Sequence, residues 1–137
     1  MREILFRGKR TDNGEWVEGS YLKWYFLPGM NDWIVPLSGA SSRLIECIEH
    51  HNVVPATLGQ YTGLQDKNGN RIFEGDIVRG RDALEKGLVV EGYIDHQYGS
   101  FCIVGDLMTH FRWLDYEVEV IGNIHDNPEL IGGKEDD

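Results

Sequence analysis

Two Asn-Gly dipeptides, Asn13-Gly14 and Asn68-Gly69, do most to limit what this chain folds into. Both residue types tolerate positive φ, so Asn-Gly between apolar runs marks a hairpin. The first separates residues 4–9 from 15–27, and the second separates 60–64 from 71–79. A third turn is expected at Tyr98-Gly99-Ser100, between 88–97 and 101–104. Runs this short leave little room for helices.

The runs alternate with period two. Tyr116, Val118, Val120 and Ile124 fall on one face, and Glu117, Glu119 and Asn123 on the other. Leu88, Val90 and Ile94 share a face with Gly92, opposite Val89, Glu91 and Tyr93. Each is the pattern of a half-buried strand. Residues 21–27 are apolar on both faces, so that strand is covered on both sides or meets a partner. The Gly-rich stretch 28–42 reads as a long irregular connection. Residues 41–50 read either as a short helix capped by Ser41-Ser42 or as a strand leading into Val53-Val54-Pro55, with strand preferred. Residues 82–86 allow one helical turn, and 132–137 read as a frayed acidic tail.

About eight short strands at this spacing suit meanders and small barrels. The expectation is a mainly β protein with little helix. An N-terminal antiparallel meander packs on a C-terminal small SH3-like barrel. The two share a core as one domain over 1–131, with lobes at about 1–66 and 70–131.

Charge narrows the function classes. The chain of 137 residues carries 13 basic and 23 acidic side chains, net −10. That opposes indiscriminate coating of nucleic acid. Residues 1–68 are net −1 and residues 69–137 net −9. This asymmetry suits solubility or head-to-tail association of subunits. No run of 18 apolar residues occurs, and the N-terminal apolar run is too short for a secretory segment. The expected compartment is the cytoplasm of the cell that makes it. Cys47 and Cys102 sit in apolar stretches without a CxxC pair, so each reads as a buried, inert thiol.

Catalytic and metal signatures are sparse. His50 and His51 are adjacent and would face opposite sides of a strand, while His96, His110 and His125 lie on separate segments. No HxH, HxxxH or HExxH spacing appears, so no metal ligands are assigned and the histidines read as surface or structural. Ser38, Ser41, Ser42 and Ser100 lack a nucleophile elbow. The carboxylate pairs Glu74/Asp76 and Glu117/Glu119 show no acid–base constellation, and the second lies on a solvated face. No catalytic or cofactor-binding residue is assigned. For nucleic acid, Trp16, Trp24, Trp33, Tyr21 and Tyr25 are candidates to stack on bases. Arg2, Arg7, Lys9, Arg10, Lys23 and Arg43 are candidates to meet phosphates.

Three stretches carry a family resemblance. They are Met1 to Gly19, with Arg7-Gly8-Lys9-Arg10 and Asn13-Gly14-Glu15-Trp16; Val54 to Val78, with Gly59-Gln60-Tyr61-Thr62-Gly63-Leu64, Asp66-Lys67-Asn68-Gly69 and Phe73-Glu74-Gly75-Asp76; and Val120 to Leu130, with Asn123-Ile124-His125-Asp126-Asn127-Pro128. Together they resemble the YopX family. No match to the pattern falls in 28–53 or 80–116. The resemblance implies a small, mainly β protein carried by bacteriophages and prophages. It supplies no reaction and no catalytic residues. The motif residues have structural uses: Gly59 and Gly63 permit bends, and Gly75-Asp76 makes a turn whose carboxylate accepts local backbone N–H groups.

The expected function is binding without catalysis, with a protein as the partner and a homo-oligomer as the form. The alternative is a nucleic-acid-binding module using the basic, aromatic N-terminal strands. An enzyme of unknown class comes third.

Overall fold

Turn chemistry sets the pairing of the strands that flank Gly14, Gly29 and Gly99, three glycines at positive φ. The computed structural model describes residues 3–36, 49–82, 89–106, 108–113 and 116–131. The strands are β1 (Phe6–Lys9), β2 (Trp16–Leu27), β3 (Met30–Pro36), β4 (His51–Asn52), β5 (Gly59–Gln65), β6 (Arg71–Phe73), β7 (Asp76–Asp82), β8 (Val89–Gln97), β9 (Ser100–Gly105), β10 (Thr109–His110) and β11 (Tyr116–Asn123). The 3₁₀ turns Pro55–Thr57 and Pro128–Leu130 are among the helical elements of the described residues. The protein is mainly β. The chain forms two compact units, Met1–Tyr61 and Thr62–Asp137.

The first unit is the expected antiparallel meander. Its strands lie in the order β4-β3-β2-β1-β5, and β5 runs on into the second unit, where β6 follows it. Between β1 and β2, Gly14 takes φ 74°, and its N–H donates to the Arg10 carbonyl at 2.9 Å. Residues 30–36 correct the expectation of an irregular connection, because they form β3. Pro28 and Gly29 make a tight turn with Gly29 at φ 76°, and Leu27 pairs with Met30 across it. The polar Asn31 and Asp32 hide this strand in the sequence.

Extra residues on β2 bulge between Lys23 and Leu27. A bulge leaves carbonyls without ladder partners. The indole N–H of Trp33 donates to one carbonyl of the bulge, Trp24 O, at 3.2 Å, and to Met30 O on its own strand at 2.9 Å. Trp33 and Ile34 are both buried, so β3 is covered on its two faces.

In the second unit, β10-β9-β8-β7-β11 form an antiparallel sheet. The β8–β9 turn is the expected one: Tyr98 and Gly99 both have positive φ, 53° and 81°, and Gln97 pairs with Ser100. Two positive-φ residues define the turn whose twist suits a two-residue hairpin. Val90 and Ile94 are buried while Val89 and Glu91 are exposed, as the alternation predicts. The core gathers Ile72, Val78, Val90, Ile94, Ile103, Trp113 and Val118. Burying one such side chain is worth about 1.5–3 kcal/mol.

Two expectations fail here. No ladder joins β10 to β11 among the described residues, so the sheet is open rather than a closed barrel. Ile124 also leaves the face of Tyr116, Val118 and Val120. Ile121 is an extra residue opposite β7, since Val120 pairs with Val78 but Gly122 with Ile77. Each extra residue reverses which side chains point to the core. Residues 41–48, the helical turn expected at 82–86 (apart from Asp82) and the tail 132–137 lie outside the described residues.

Candidate functional site

The motif carboxylates Asp66 and Asp76 are committed to holding the fold. Asp66 sits at the end of β5 with its carboxylate buried. Its Oδ1 accepts the backbone N–H groups of Asn68 and Asn70, each at 2.9 Å. Its Oδ2 accepts the N–H of Val120 at 2.9 Å. Beside it, the Lys67 N–H donates to Val118 O at 3.1 Å. The Asn68-Gly69 turn thereby caps the outer edge of β11, which would otherwise offer unpaired backbone groups. Burial alone would raise the Asp66 pKa. The N–H groups of Val120, Asn70 and Asn68 outweigh it and hold the carboxyl below its ordinary value. Asp76 is likewise buried, and its Oδ2 accepts the Phe73 N–H at 2.8 Å. Gly75, at φ 90°, makes the bend that permits this.

The basic, aromatic strands of the first unit are also heavily self-engaged. Arg7 stacks on the Trp16 ring at 4.6 Å, and Lys9 lies 5.6 Å from the same ring. Glu18 faces Arg7 across the β1–β2 ladder. Asp12 clasps the Arg10 guanidinium with both oxygens, at 2.7 and 3.0 Å. Lys23 reaches Asp32 at 3.4 Å. Trp33 is buried, and Trp24 packs on it with the rings 6.2 Å apart. The Tyr21 hydroxyl donates to Asp32, and its ring packs on Phe6. Burial, then that hydrogen bond, pushes the Tyr21 hydroxyl up to about 12. Of the five aromatic candidates, Tyr25 alone is mostly exposed, at 69%. Arg2 and Arg43 lie outside the described residues.

The histidines do not converge. His50 packs on Trp24 and Trp33, and His51 bonds Glu49 at 2.8 Å. His96 packs on Phe101, and His110 Nδ1 meets the Tyr116 hydroxyl at 3.2 Å. His125 packs beside Gly75. Among the described residues no three His, Cys, Asp or Glu side chains gather as metal ligands. Cys102 is fully buried, and burial, then Asp95, pushes its thiol up, as an inert core cysteine requires. Cys47 lies outside the described residues.

The second unit displays the feature that sequence reading missed. Tyr98 is 96% exposed at the tip of the β8–β9 hairpin, and its ring lies 6.2 Å from that of Phe111, itself exposed. Met108 and Val89 are also exposed. Positive φ at a tyrosine is uncommon and costs about 1–2 kcal/mol. The only hint in the sequence was Tyr-Gly where Asn-Gly would be the easier turn. Among the described residues no helix is long and apolar enough to cross a membrane.

A search of curated proteins returns no match. The family model described as YopX protein matches residues 5–132, nearly the whole chain, and the chain therefore belongs to the YopX family.

Proposed function

We propose that this YopX-family chain is a phage or prophage accessory protein that works in the bacterial cytoplasm by binding another protein, without catalysis. The observation that carries the reading is the exposed aromatic pair of the second unit, Tyr98 and Phe111, whose rings lie 6.2 Å apart. Tyrosine and other large side chains held in water at a fixed turn are the usual anchors of protein interfaces. The commitment of Asp66 and Asp76 to backbone N–H groups supports the same reading, because it takes the two buried motif carboxylates away from acid–base work. A homo-oligomer is part of the proposal, favoured by exposed Tyr25 on β2. A monomer mass in light scattering at micromolar concentration would remove that part.

The test is affinity capture from lysates of the bacterial host at low and high salt, with and without nuclease. The expected result is a protein retained under all conditions and lost with Tyr98→Ser. Recovery of nucleic acid alone, released by salt, would refute protein binding. So would an activity in the pure protein that one His or carboxylate replacement abolishes.

A further inference from the structure

We propose that a groove on the β8–β9 surface of the second unit takes an extended peptide segment carrying a lysine or arginine between two apolar side chains. This rests on the protein-binding reading and names the chemistry of the partner. Two hollows, of about 290 Å³ and 200 Å³, share Glu91, Gly105 and Asp106. One is walled by Val89 and Met108, and the other by Leu130 and Ile131. Val89, Met108 and Leu130 are exposed at 54%, 61% and 37%, so the groove offers apolar surface at both ends. Its middle has two carboxylates and, at Gly105, bare backbone.

The order apolar, acidic, apolar sets the occupant. Alternate side chains of an extended segment share one face. A segment with apolar residues at positions i and i+4 and a cation at i+2 therefore fills both hollows while its charge meets Glu91 and Asp106. Glu91 Oε2 already accepts Arg79 Nε and Nη2, each at 2.8 Å, so an incoming cation shares this carboxylate with Arg79 and adds its contact to Asp106. The surrounding field agrees, because residues 62–137 carry 7 basic and 16 acidic side chains. Such a field attracts a basic segment and repels an acidic one or a phosphate backbone.

The test screens a displayed random-peptide library against the wild-type chain, the double variant Glu91→Gln/Asp106→Asn and Met108→Ser. Circular dichroism confirms that each variant is folded. Enriched peptides are expected to carry Lys or Arg with apolar residues two positions to each side. Their affinity is expected to fall about fivefold or more with the double variant, the size of a significant interface contact. Met108→Ser is expected to relax the preference at one flank. No enrichment, enrichment without a central cation, or equal binding to the double variant would overturn the proposal. A wild-type dimer in sedimentation velocity that the double variant dissociates would also overturn it, by assigning the groove to a second copy. If the captured protein of the preceding section still binds the double variant, protein binding stands and the groove is wrong.

Discussion

Replacing Asp66 by Asn tests whether the Asp-Lys-Asn-Gly turn holds the second unit together. The carboxylate accepts three backbone N–H groups at 2.9 Å while buried. An amide has one acceptor oxygen. If that oxygen keeps Asn68 and Asn70, the NH₂ group faces the Val120 N–H, donor against donor. Two bonds then drop from charge-assisted to neutral strength, at about 1 kcal/mol each, and a third is lost at about 1–3 kcal/mol. These terms overlap, so the expected loss is about 3 kcal/mol at pH 7. Urea unfolding followed by tryptophan fluorescence should show the midpoint falling by about 1–2 M. The loss should shrink in acid. The folded-state pKa lies below the ordinary 3.8, so the carboxylate's contribution is present above that value and disappears as pH falls through the folded pKa. The gap between wild type and Asp66→Asn should therefore start to narrow as pH falls past about 3.8 and close only below the folded pKa. A loss under about 1 kcal/mol at pH 7, or a gap that does not narrow in acid, would refute the reasoning.

Other outcomes follow from the same structure. Tyr21 has a raised pKa, so its contribution to stability is present below pH 10 and is lost as pH rises through about 12. Tyr21→Phe should flatten that alkaline decline, and a denaturation series in alkali checks it. Cys102 is buried and its thiol is held protonated, so iodoacetamide mapping should leave it unlabelled in native protein and label it in urea. Gly92→Ala should destabilise by more than about 2 kcal/mol, because the added Cβ would lie 2.2 Å from Val104 O on the neighbouring strand; thermal melting reads it. Trp113→Phe loses the indole bond to Phe101 O at 2.9 Å and leaves a gap in the core, and should cost about 2 kcal/mol in the same assay.

Much of the fold was legible because its signals are local. Tyr98-Gly99 and Gly75-Asp76 turn where expected, and Val90 and Ile94 point inward by simple alternation. The failures share a cause. Asn31 and Asp32 suppress the strand pattern of β3, which only pairing with β2 reveals. One extra residue at Ile121 reverses the facing of everything after it. Trp113 lies near no clear strand signal, yet it belongs to the core. The candidate site was hidden more deeply. Trp16, Trp24 and Trp33 read as stacking surfaces, but Arg7, the neighbouring rings and burial occupy them.

Turns, alternation and the absence of long apolar periods determine, from residues alone, that this chain is antiparallel β, since φ preference and side-chain period act within a few positions. Asp66 shows where that reach ends. Its Asx turn is local, but its third partner, Val120, lies 54 positions away. Whether a carboxylate serves the fold or stays at the surface, and whether an aromatic ring is buried or offered to a partner, depends on which distant strand arrives beside it. Only the tertiary structure decides that, because burial and hydrogen-bond satisfaction belong to neighbours in space rather than in sequence.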